Sequence, residues 1–297
     1  MTVTTVAPAL TAAQPKRPRR KMLWCDLTRK CQLACKHCLN SSGPTGSHGT
    51  MALPHWVSTL DQALAAGFEV VQFFGGEPTM HPDFVALVNH ACDIGLDVEV
   101  YSNLVSISDD LWELFQRRSV TLRTSYYSDR AAEHNSITSR KSHARTRANI
   151  QRAAFLGVPL KVGIVAKFEG QRVAEAKQDA LALGAASVRI DRVREFGRGA
   201  CNGEEPDAKN LCGNCGNRNA AVGPDGTVSP CVFSTWMGVG QVQEEGLAAI
   251  VVGTAMTEAV ALVQGATVKG DPCDPDDDEC TPGVPTSSCT PRGGVTP

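Results

Sequence analysis

The stretch Cys31-Gln-Leu-Ala-Cys35-Lys-His-Cys38 places three thiols on one short piece of chain. It follows an apolar run, Met22-Leu23-Trp24-Cys25-Asp26-Leu27, which is typical of a buried strand. Three thiolates on one loop can hold three irons of a 4Fe–4S cube, which leaves the fourth iron without a protein ligand. Such an open position favours binding of a small molecule, as an open zinc site does.

A structural zinc site is the alternative interpretation of the same stretch. Such a site usually has four protein ligands, so His37 would have to join the three thiols. His37 and Cys38 are neighbours and would have to fold back onto one metal ion. The spacing therefore favours the iron–sulfur interpretation.

A second motif, Gly75-Gly76-Glu77-Pro78, follows the apolar run Val70-Val71-Gln72-Phe73-Phe74. Two glycines let a backbone approach a ligand closely, and a carboxylate can accept a hydrogen bond from an ammonium group. With the cysteine spacing before it, this order of motifs resembles the radical S-adenosylmethionine (radical SAM) enzymes.

The resemblance implies cofactors and roles for these residues. It implies that Cys31, Cys35 and Cys38 hold a 4Fe–4S cluster whose open iron binds the amino and carboxylate groups of SAM. It implies that Gly75–Pro78 meets the methionine amino group and that His37 lies near the adenine. An electron from the cluster would then cleave SAM to methionine and a 5′-deoxyadenosyl radical, which abstracts hydrogen from an unactivated carbon.

Strand-like and helix-like segments alternate from Met22 to about Arg194. The predicted strands are 22–28, 69–74, 97–101, 119–126, 160–166 and 187–193, and the predicted helices are 53–66, 82–94, 109–117, 143–156 and 171–183. This alternation predicts an α/β fold with a parallel sheet, and the resemblance implies a partial (β/α)6 barrel. Parallel barrels carry their chemistry at the carboxyl ends of the strands, where both motifs lie.

Polar residues at other strand ends are further candidates. Ser102 and Asn103 end the third strand, where family members often carry a Thr-Asn-Gly or similar, but Leu104 replaces the glycine. Ser125 ends the fourth strand and is a candidate donor to the SAM ribose or carboxylate. Ordinary turn and capping chemistry explains all three residues equally well.

His134 is a candidate general acid or base, because it lies in a polar segment after the fourth strand. A satisfied surface histidine is the alternative. Asp191, Arg192 and Arg194 on or after the sixth strand indicate a polar cavity, unless these positions face solvent.

The second cysteine set comprises Cys212, Cys215 and Cys231, with the hairpin signal Asp225-Gly226 between the last two. It resembles the first half of the SPASM or twitch extension, which carries one or two auxiliary iron–sulfur clusters. A structural zinc knuckle is the alternative for these three cysteines. Further candidate ligands are Cys201 and three cysteines of an acidic Cys-X-Pro tail, Cys273, Cys280 and Cys289. A flexible disordered end is the alternative for that tail.

The chain is expected to comprise a disordered tail (1–21), a barrel core (22–198), a cysteine-rich extension with a docking helix (199–265) and the acidic tail (266–297). Its net charge of −2 argues against nucleic acid as the main partner. Twelve cysteines without a signal peptide indicate metal ligands in a cytoplasmic protein rather than disulfides. The apolar stretch 247–263 is too short and too interrupted for a membrane span.

These features favour a maturase that oxidatively modifies a ribosomally made peptide and receives electrons from a flavodoxin or ferredoxin. With 21 residues before the first strand, no leader-binding domain is expected. The alternatives are a dehydrogenase or epimerase of a sugar or other small molecule, and a non-catalytic iron–sulfur or zinc protein.

Overall fold

The computed structural model of the chain describes residues 20–200 and 205–267. In these residues the strands form one sheet in the order β6-β5-β4-β3-β2-β1-β7-β8-β9. The strands are β1 Met22–Asp26, β2 Val70–Phe74, β3 Asp97–Tyr101, β4 Val120–Ser125, β5 Leu160–Ala166, β6 Ser187–Arg192, β7 Asn219–Val222, β8 Thr227–Ser229 and β9 Gly240–Gln241. Strands β1–β6 pair in parallel, which gives the expected open, partial α/β barrel.

In the described residues, six helices lie between the parallel strands and three follow β9. They are α1 Leu53–Ala65, α2 Phe84–Asp93, α3 Asp109–Phe115, α4 Ala131–Thr138, α5 His143–Phe155, α6 Val173–Ala182, α7 Val242–Glu245, α8 Leu247–Val252 and α9 Thr254–Ala266. Alternate strand residues such as Leu23 and Val100 pack with helix residues such as Trp56 and Phe84 in the main core. Because side chains alternate along a strand, the residues between them face the barrel interior.

Two helices differ from the sequence-based expectation. The helix predicted over 82–94 begins at Phe84, after a short 3-10 turn at Pro78–Met80, so Pro82 precedes the helix. Helix α4 was not predicted, because residues 131–138 are polar and show little amphipathic pattern.

The cysteine-rich extension continues the barrel sheet. Strand β7 pairs in parallel with β1, with Met22 opposite Asn219 and Cys25 opposite Val222. Strands β7 and β8 form the hairpin predicted from Asp225-Gly226, where Gly226 has a φ of +86°. The domain boundary near residue 198 stays a prediction.

The apolar stretch at 247–263 is divided at Gly253 into α8 and α9. The first of these docks on the barrel, where the Leu247 N–H donates to Gln62 Oε1 on α1 at 2.6 Å. Among the helices of residues 20–200 and 205–267, none has both the length and the apolar character needed to cross a membrane.

Candidate functional site

A cavity of about 570 Å³ opens at the carboxyl ends of the parallel strands. Its wall includes both cysteine sets that the sequence singled out, although about 180 residues separate Cys31 from Cys212 in the chain. The cysteines that line it are Cys31, Cys35, Cys38, Cys212, Cys215 and Cys231. The remaining candidates, Cys201, Cys273, Cys280 and Cys289, lie outside the described residues, as does the N-terminal tail up to residue 19.

The loop that carries the first three cysteines is fixed at several points. The Cys31 N–H donates to Gly43 O at 3.0 Å, and the Glu77 N–H donates to Lys30 O at 2.9 Å. Within the loop, the Cys38 thiol contacts Asn40 Oδ1 at 3.1 Å. Backbone bonds therefore hold the thiols in place before any ligand binds.

The thiols of this loop are suited to binding a cationic metal centre. Burial raises the pKa of Cys31 and of Cys35 to about 12, so both stay protonated at neutral pH unless a metal replaces the proton. The Leu33 N–H and Asn103 Nδ2 point to Cys31 Sγ at 3.4 and 3.7 Å. Such donors stabilise charge on a metal-bound sulfur, so the residues fit a cluster.

The two glycines of the second motif pack against the cysteine loop. An added Cβ at Gly76 would lie 2.3 Å from Lys30 O and 2.9 Å from Cys31 Cβ, and one at Gly75 would lie 2.5 Å from Thr28 O. Both glycines also line the cavity. Their small size therefore brings the ends of β1 and β2 together, besides leaving the backbone accessible from the cavity.

Glu77 has a different environment from the one expected. Its carboxylate is buried and accepts from Ser102 Oγ and from the Asn103 N–H, both at 2.8 Å. Thr79 Oγ1 also donates to it at 2.7 Å. Neither Glu77 nor Pro78 lines the cavity, so the carboxylate positions the end of β3.

His37 lines the cavity and packs edge-on against Tyr127, with ring centroids 5.1 Å apart. Burial lowers the pKa of its imidazole to about 4, so the ring is neutral at physiological pH. Its Nδ1 is buried, and no described residue bonds to it. A heteroaromatic ligand in the cavity can supply that bond, which fits a bound nucleoside.

The polar residues at the ends of β3 and β4 separate into two groups. Asn103 and Ser125 line the cavity, and Ser125 Oγ lies 3.2 Å from Tyr101 Oη. Ser102 is instead buried beneath it as the partner of Glu77. Leu104, which stands where the family often has glycine, has a left-handed φ of +54°.

The surface interpretation of His134 is wrong. Its side chain is buried in the cavity wall, and Nδ1 accepts from the Tyr127 N–H at 3.4 Å. Nε2 lies 3.1 Å from Ser142 Oγ. Because both ring nitrogens are engaged within the protein, the geometry supports a positioning role between α4 and α5 and not proton transfer.

His134 should make the stability of the chain depend on pH. Burial lowers its pKa to about 3 from the ordinary 6.5, so the unfolded chain binds more protons below pH 6.5. The contribution of neutral His134 to the free energy of unfolding is full above pH 6.5 and is lost as the pH falls towards 3. We expect a loss of about 2 kcal/mol between pH 7 and pH 5 from this group. Urea titrations should show a shallower pH dependence for His134→Gln, and an unchanged slope would contradict the assignment.

The second cysteine set lies beneath the β7–β8 hairpin. Cys215 Sγ and Cys231 Sγ are 3.1 Å apart and buried, in a small cluster with Phe196, Leu211 and Val263. Hydrogen bonds with Cys212 and Cys231, together with burial, raise the pKa of the Cys215 thiol. The turn at Gly226 therefore brings the two thiols together as the sequence predicts, and the buried thiol donors fit a metal cluster.

The segment around Arg198, which contacts the cysteine loop, is not among the residues predicted for the site. Arg198 donates through Nε to Cys35 O at 2.8 Å and through Nη2 to Ser42 O at 2.7 Å, and its N–H donates to Cys38 O at 2.9 Å. The run Gly197-Arg198-Gly199 was visible only as a change of composition, which gives no indication of a contact with residues 35–42.

Comparison with known families supports this geometry. The profile of the radical SAM superfamily matches residues 26–169, and the profile of the iron–sulfur cluster-binding SPASM domain matches residues 212–281. The chain thus contains a radical SAM domain followed by a SPASM domain. Together the two families imply a 4Fe–4S cluster, SAM and auxiliary iron–sulfur clusters for this radical SAM chain.

Curated relatives match parts of the chain. A PqqA peptide cyclase of Gluconobacter oxydans is 29% identical over 189 residues, which cover 61% of this chain and 52% of the cyclase. An S-adenosylmethionine-dependent nucleotide dehydratase of Selenomonas ruminantium is 35% identical over 78 residues, 26% of this chain and 27% of the dehydratase. The chain thus spans about half or less of the length of these relatives.

A solved structure confirms the fold. Streptococcus suis SuiB, bound to its precursor peptide SuiA, superposes with a TM-score of 0.68 at 13% identity, over 83% of this chain and 67% of SuiB. At that identity the likeness shows the partial barrel alone.

Proposed function

We propose that this chain cleaves SAM reductively and uses the resulting radical to modify a peptide oxidatively. The observation that carries the proposal is the convergence of two cysteine sets on one cavity, with the Gly75-Gly76 pair and His37 in the same wall. A cavity of that size suits a nucleoside cofactor together with part of a substrate.

Six residues of the cavity wall have a proposed part in binding the cluster and SAM. Cys31, Cys35 and Cys38 hold the SAM cluster, Gly75 and Gly76 meet the methionine end of SAM, and His37 lies at its adenine. When bound, the cluster and SAM supply the 5′-deoxyadenosyl radical. The barrel orients the substrate and keeps water from the reactive species.

Asn103 and Ser125 are proposed to contact SAM from the ends of β3 and β4, since both line the cavity. Glu77 and Ser102 are proposed to position Asn103 without contacting SAM, because their hydrogen bonds fix the Asn103 backbone. His134 supports the same wall from α4.

A peptide substrate is supported by the PqqA peptide cyclase relative and by the match to the SPASM domain. The nucleotide dehydratase relative supports a small-molecule substrate, which is the second candidate. Either reaction needs an electron donor, for which we propose a flavodoxin or ferredoxin.

The function is tested with anaerobically purified and reconstituted protein. In the presence of dithionite and SAM we expect 5′-deoxyadenosine and methionine in equal amounts, measured by liquid chromatography. Adding a short precursor peptide encoded beside the gene should yield a peptide product of reduced mass. Absence of SAM cleavage would contradict the enzyme, whereas cleavage with an unmodified peptide would favour the small-molecule candidate.

Replacing Cys215 and Cys231 with serine should separate the auxiliary site from SAM cleavage. Iron should fall by about one cluster per chain, on the usual stoichiometry of cysteine ligation. Uncoupled SAM cleavage should persist, because Cys31, Cys35 and Cys38 lie on a different loop, but modification of the substrate should fail.

Metal analysis of the wild-type protein distinguishes an auxiliary iron–sulfur cluster from a structural zinc site. One equivalent of zinc, with iron for only one cube, would contradict an auxiliary cluster. The matched control for the serine variant of Cys215 and Cys231 is Cys92→Ser, since Cys92 lies on α2 and does not line the cavity.

A further inference from the structure

We propose that Arg198 is a positioning residue for the SAM cluster, which holds the loop of Cys35 and Cys38 in place and makes the cluster easier to reduce through its positive charge. The inference rests on the cluster and the SAM cleavage proposed above. It assigns a function to the segment that connects β6 to the second cysteine set.

The first observation is that Arg198 bonds to the backbone of two proposed cluster ligands. Its Nε donates to Cys35 O at 2.8 Å, and its N–H donates to Cys38 O at 2.9 Å. Its Nη2 donates to Ser42 O at 2.7 Å, beyond the last cysteine of the loop. Contacts of this kind from outside the ligand set orient the ligands of a metal site.

The second observation is the close approach of the Arg198 segment to the loop. A short 3-10 turn, Gly197–Gly199, places a glycine on either side of Arg198. Gly197 has a φ of +55°, and an added Cβ there would lie 2.4 Å from Leu39 O and 2.5 Å from Cys38 O. A side chain at position 197 would therefore push Arg198 away from the loop, because it would meet backbone atoms.

The third observation is the effect of the Arg198 charge on the thiol beside it. The guanidinium donates to carbonyl oxygens of the loop, so its charge lies against the loop itself. Burial and, to a smaller extent, the neighbouring thiols raise the pKa of Cys35 to about 12. The charge of Arg198 acts in the opposite direction and lowers that pKa. A charge that favours negative sulfur in Cys35 also favours an added electron on a cluster held by that sulfur.

The direction of the effect follows from the charge that reduction adds. One-electron reduction adds one negative charge, and the potential of an iron–sulfur cluster depends on its net charge and on the groups around it. A guanidinium close to the ligand loop therefore stabilises the reduced state more than the oxidised state. Arg198 is exposed, so water and salt screen part of this effect. We expect its removal to change the ratio of reduced to oxidised cluster about tenfold at a fixed potential, which is about 59 mV for one electron.

A redox titration of the anaerobically reconstituted protein, followed by electron paramagnetic resonance, tests the proposal directly. The part of the signal that changes on addition of SAM identifies the SAM cluster and separates it from an auxiliary cluster. Arg198→Gln keeps a hydrogen-bond donor without the charge, and its midpoint potential should lie about 59 mV below that of the wild type. Arg198→Lys keeps the charge without the guanidinium fork, so its potential should stay near the wild-type value.

Two further variants separate the position of the charge from its presence. Gly197→Ala retains Arg198 but crowds Cys38 O, so it should lower the potential with no change in net charge. Arg145→Gln, on the exposed face of α5, removes one positive charge elsewhere and should leave the potential unchanged. SAM cleavage by Arg198→Gln should be slow with dithionite and should recover with a stronger reductant, titanium(III) citrate.

An unchanged midpoint potential in Arg198→Gln would overturn the proposal, and so would slow SAM cleavage that the stronger reductant does not restore. Loss of iron from the Gln variant with retention in the Lys variant would support it, because the charge would then decide whether the cluster is kept. Loss of iron from both variants would overturn it and leave Arg198 a purely structural role. A wild-type signal that does not respond to SAM would instead contradict the proposed SAM site, which keeps the two tests distinct.

Discussion

Replacing Cys31, Cys35 and Cys38 together with alanine is expected to reduce formation of 5′-deoxyadenosine to background. Each thiol is proposed to hold one iron, so the triple variant leaves the cube without protein ligands. Iron should fall by about four atoms per chain, while any auxiliary cluster at Cys215 and Cys231 remains. Iron analysis and chromatographic assay of 5′-deoxyadenosine under dithionite provide the measurement.

The control for this variant is Cys92→Ala, which removes a thiol from α2 outside the cavity. It should keep both the iron content and SAM cleavage. The fold of the triple variant should survive, because the loop is held by backbone bonds such as that between Cys31 N and Gly43 O. A triple variant that still cleaves SAM would show that the assignment of the cluster is wrong.

A single methyl group at Gly76 is expected to lower SAM cleavage by about a hundredfold, the cost of misplacing a reacting group by roughly 1 Å. The Cβ of Gly76→Ala would lie 2.3 Å from Lys30 O and 2.7 Å from Lys30 C, which are backbone atoms next to Cys31. That backbone must move, and the thiol with it. We therefore expect a change in the absorption of the cluster as well as weaker SAM binding, measured by titration.

Gly67→Ala is the matched control. Gly67 has a φ of +77°, and no atom lies within 4 Å of an added Cβ. Alanine there costs about 1 kcal/mol of backbone strain without crowding anything. It should lower thermal stability slightly and leave SAM cleavage unchanged. Equal activity of the Gly76 and Gly67 variants would contradict a role for Gly76 in placing the cysteine loop.

The barrel core was largely predictable from the sequence. Strands β1–β6 all lie within the predicted segments, because each is a short run with apolar residues at consecutive or alternate positions. Helix α4 was missed because its residues carry no apolar stripe. It is held by tertiary contacts instead, such as Asn135 Oδ1 with the N–H groups of Ser142 and His143.

The candidate site was predictable where spacing along the chain carried the information. Two features of the site are local sequence patterns. One is the spacing of Cys31, Cys35 and Cys38, and the other is the hairpin that joins Cys215 to Cys231. The direction in which Glu77 points depends on Ser102 and Asn103, two residues that directly follow β3. Burial of His134 likewise depends on Tyr127 and Ser142, and neither helical nor strand periodicity in the sequence indicates these contacts.

The pairing of β7 with β1 has a consequence for the order in which the protein is made. Strand β1 lies between β2 and β7, so one of its edges has no partner until residues 219–222 have left the ribosome. An unpaired edge of this kind invites pairing with other chains, and contacts so distant in sequence form slowly. The loop that carries Cys31 follows directly from this strand. Insertion of iron and sulfide there is therefore expected to follow translation of the hairpin rather than to accompany emergence of the first strands.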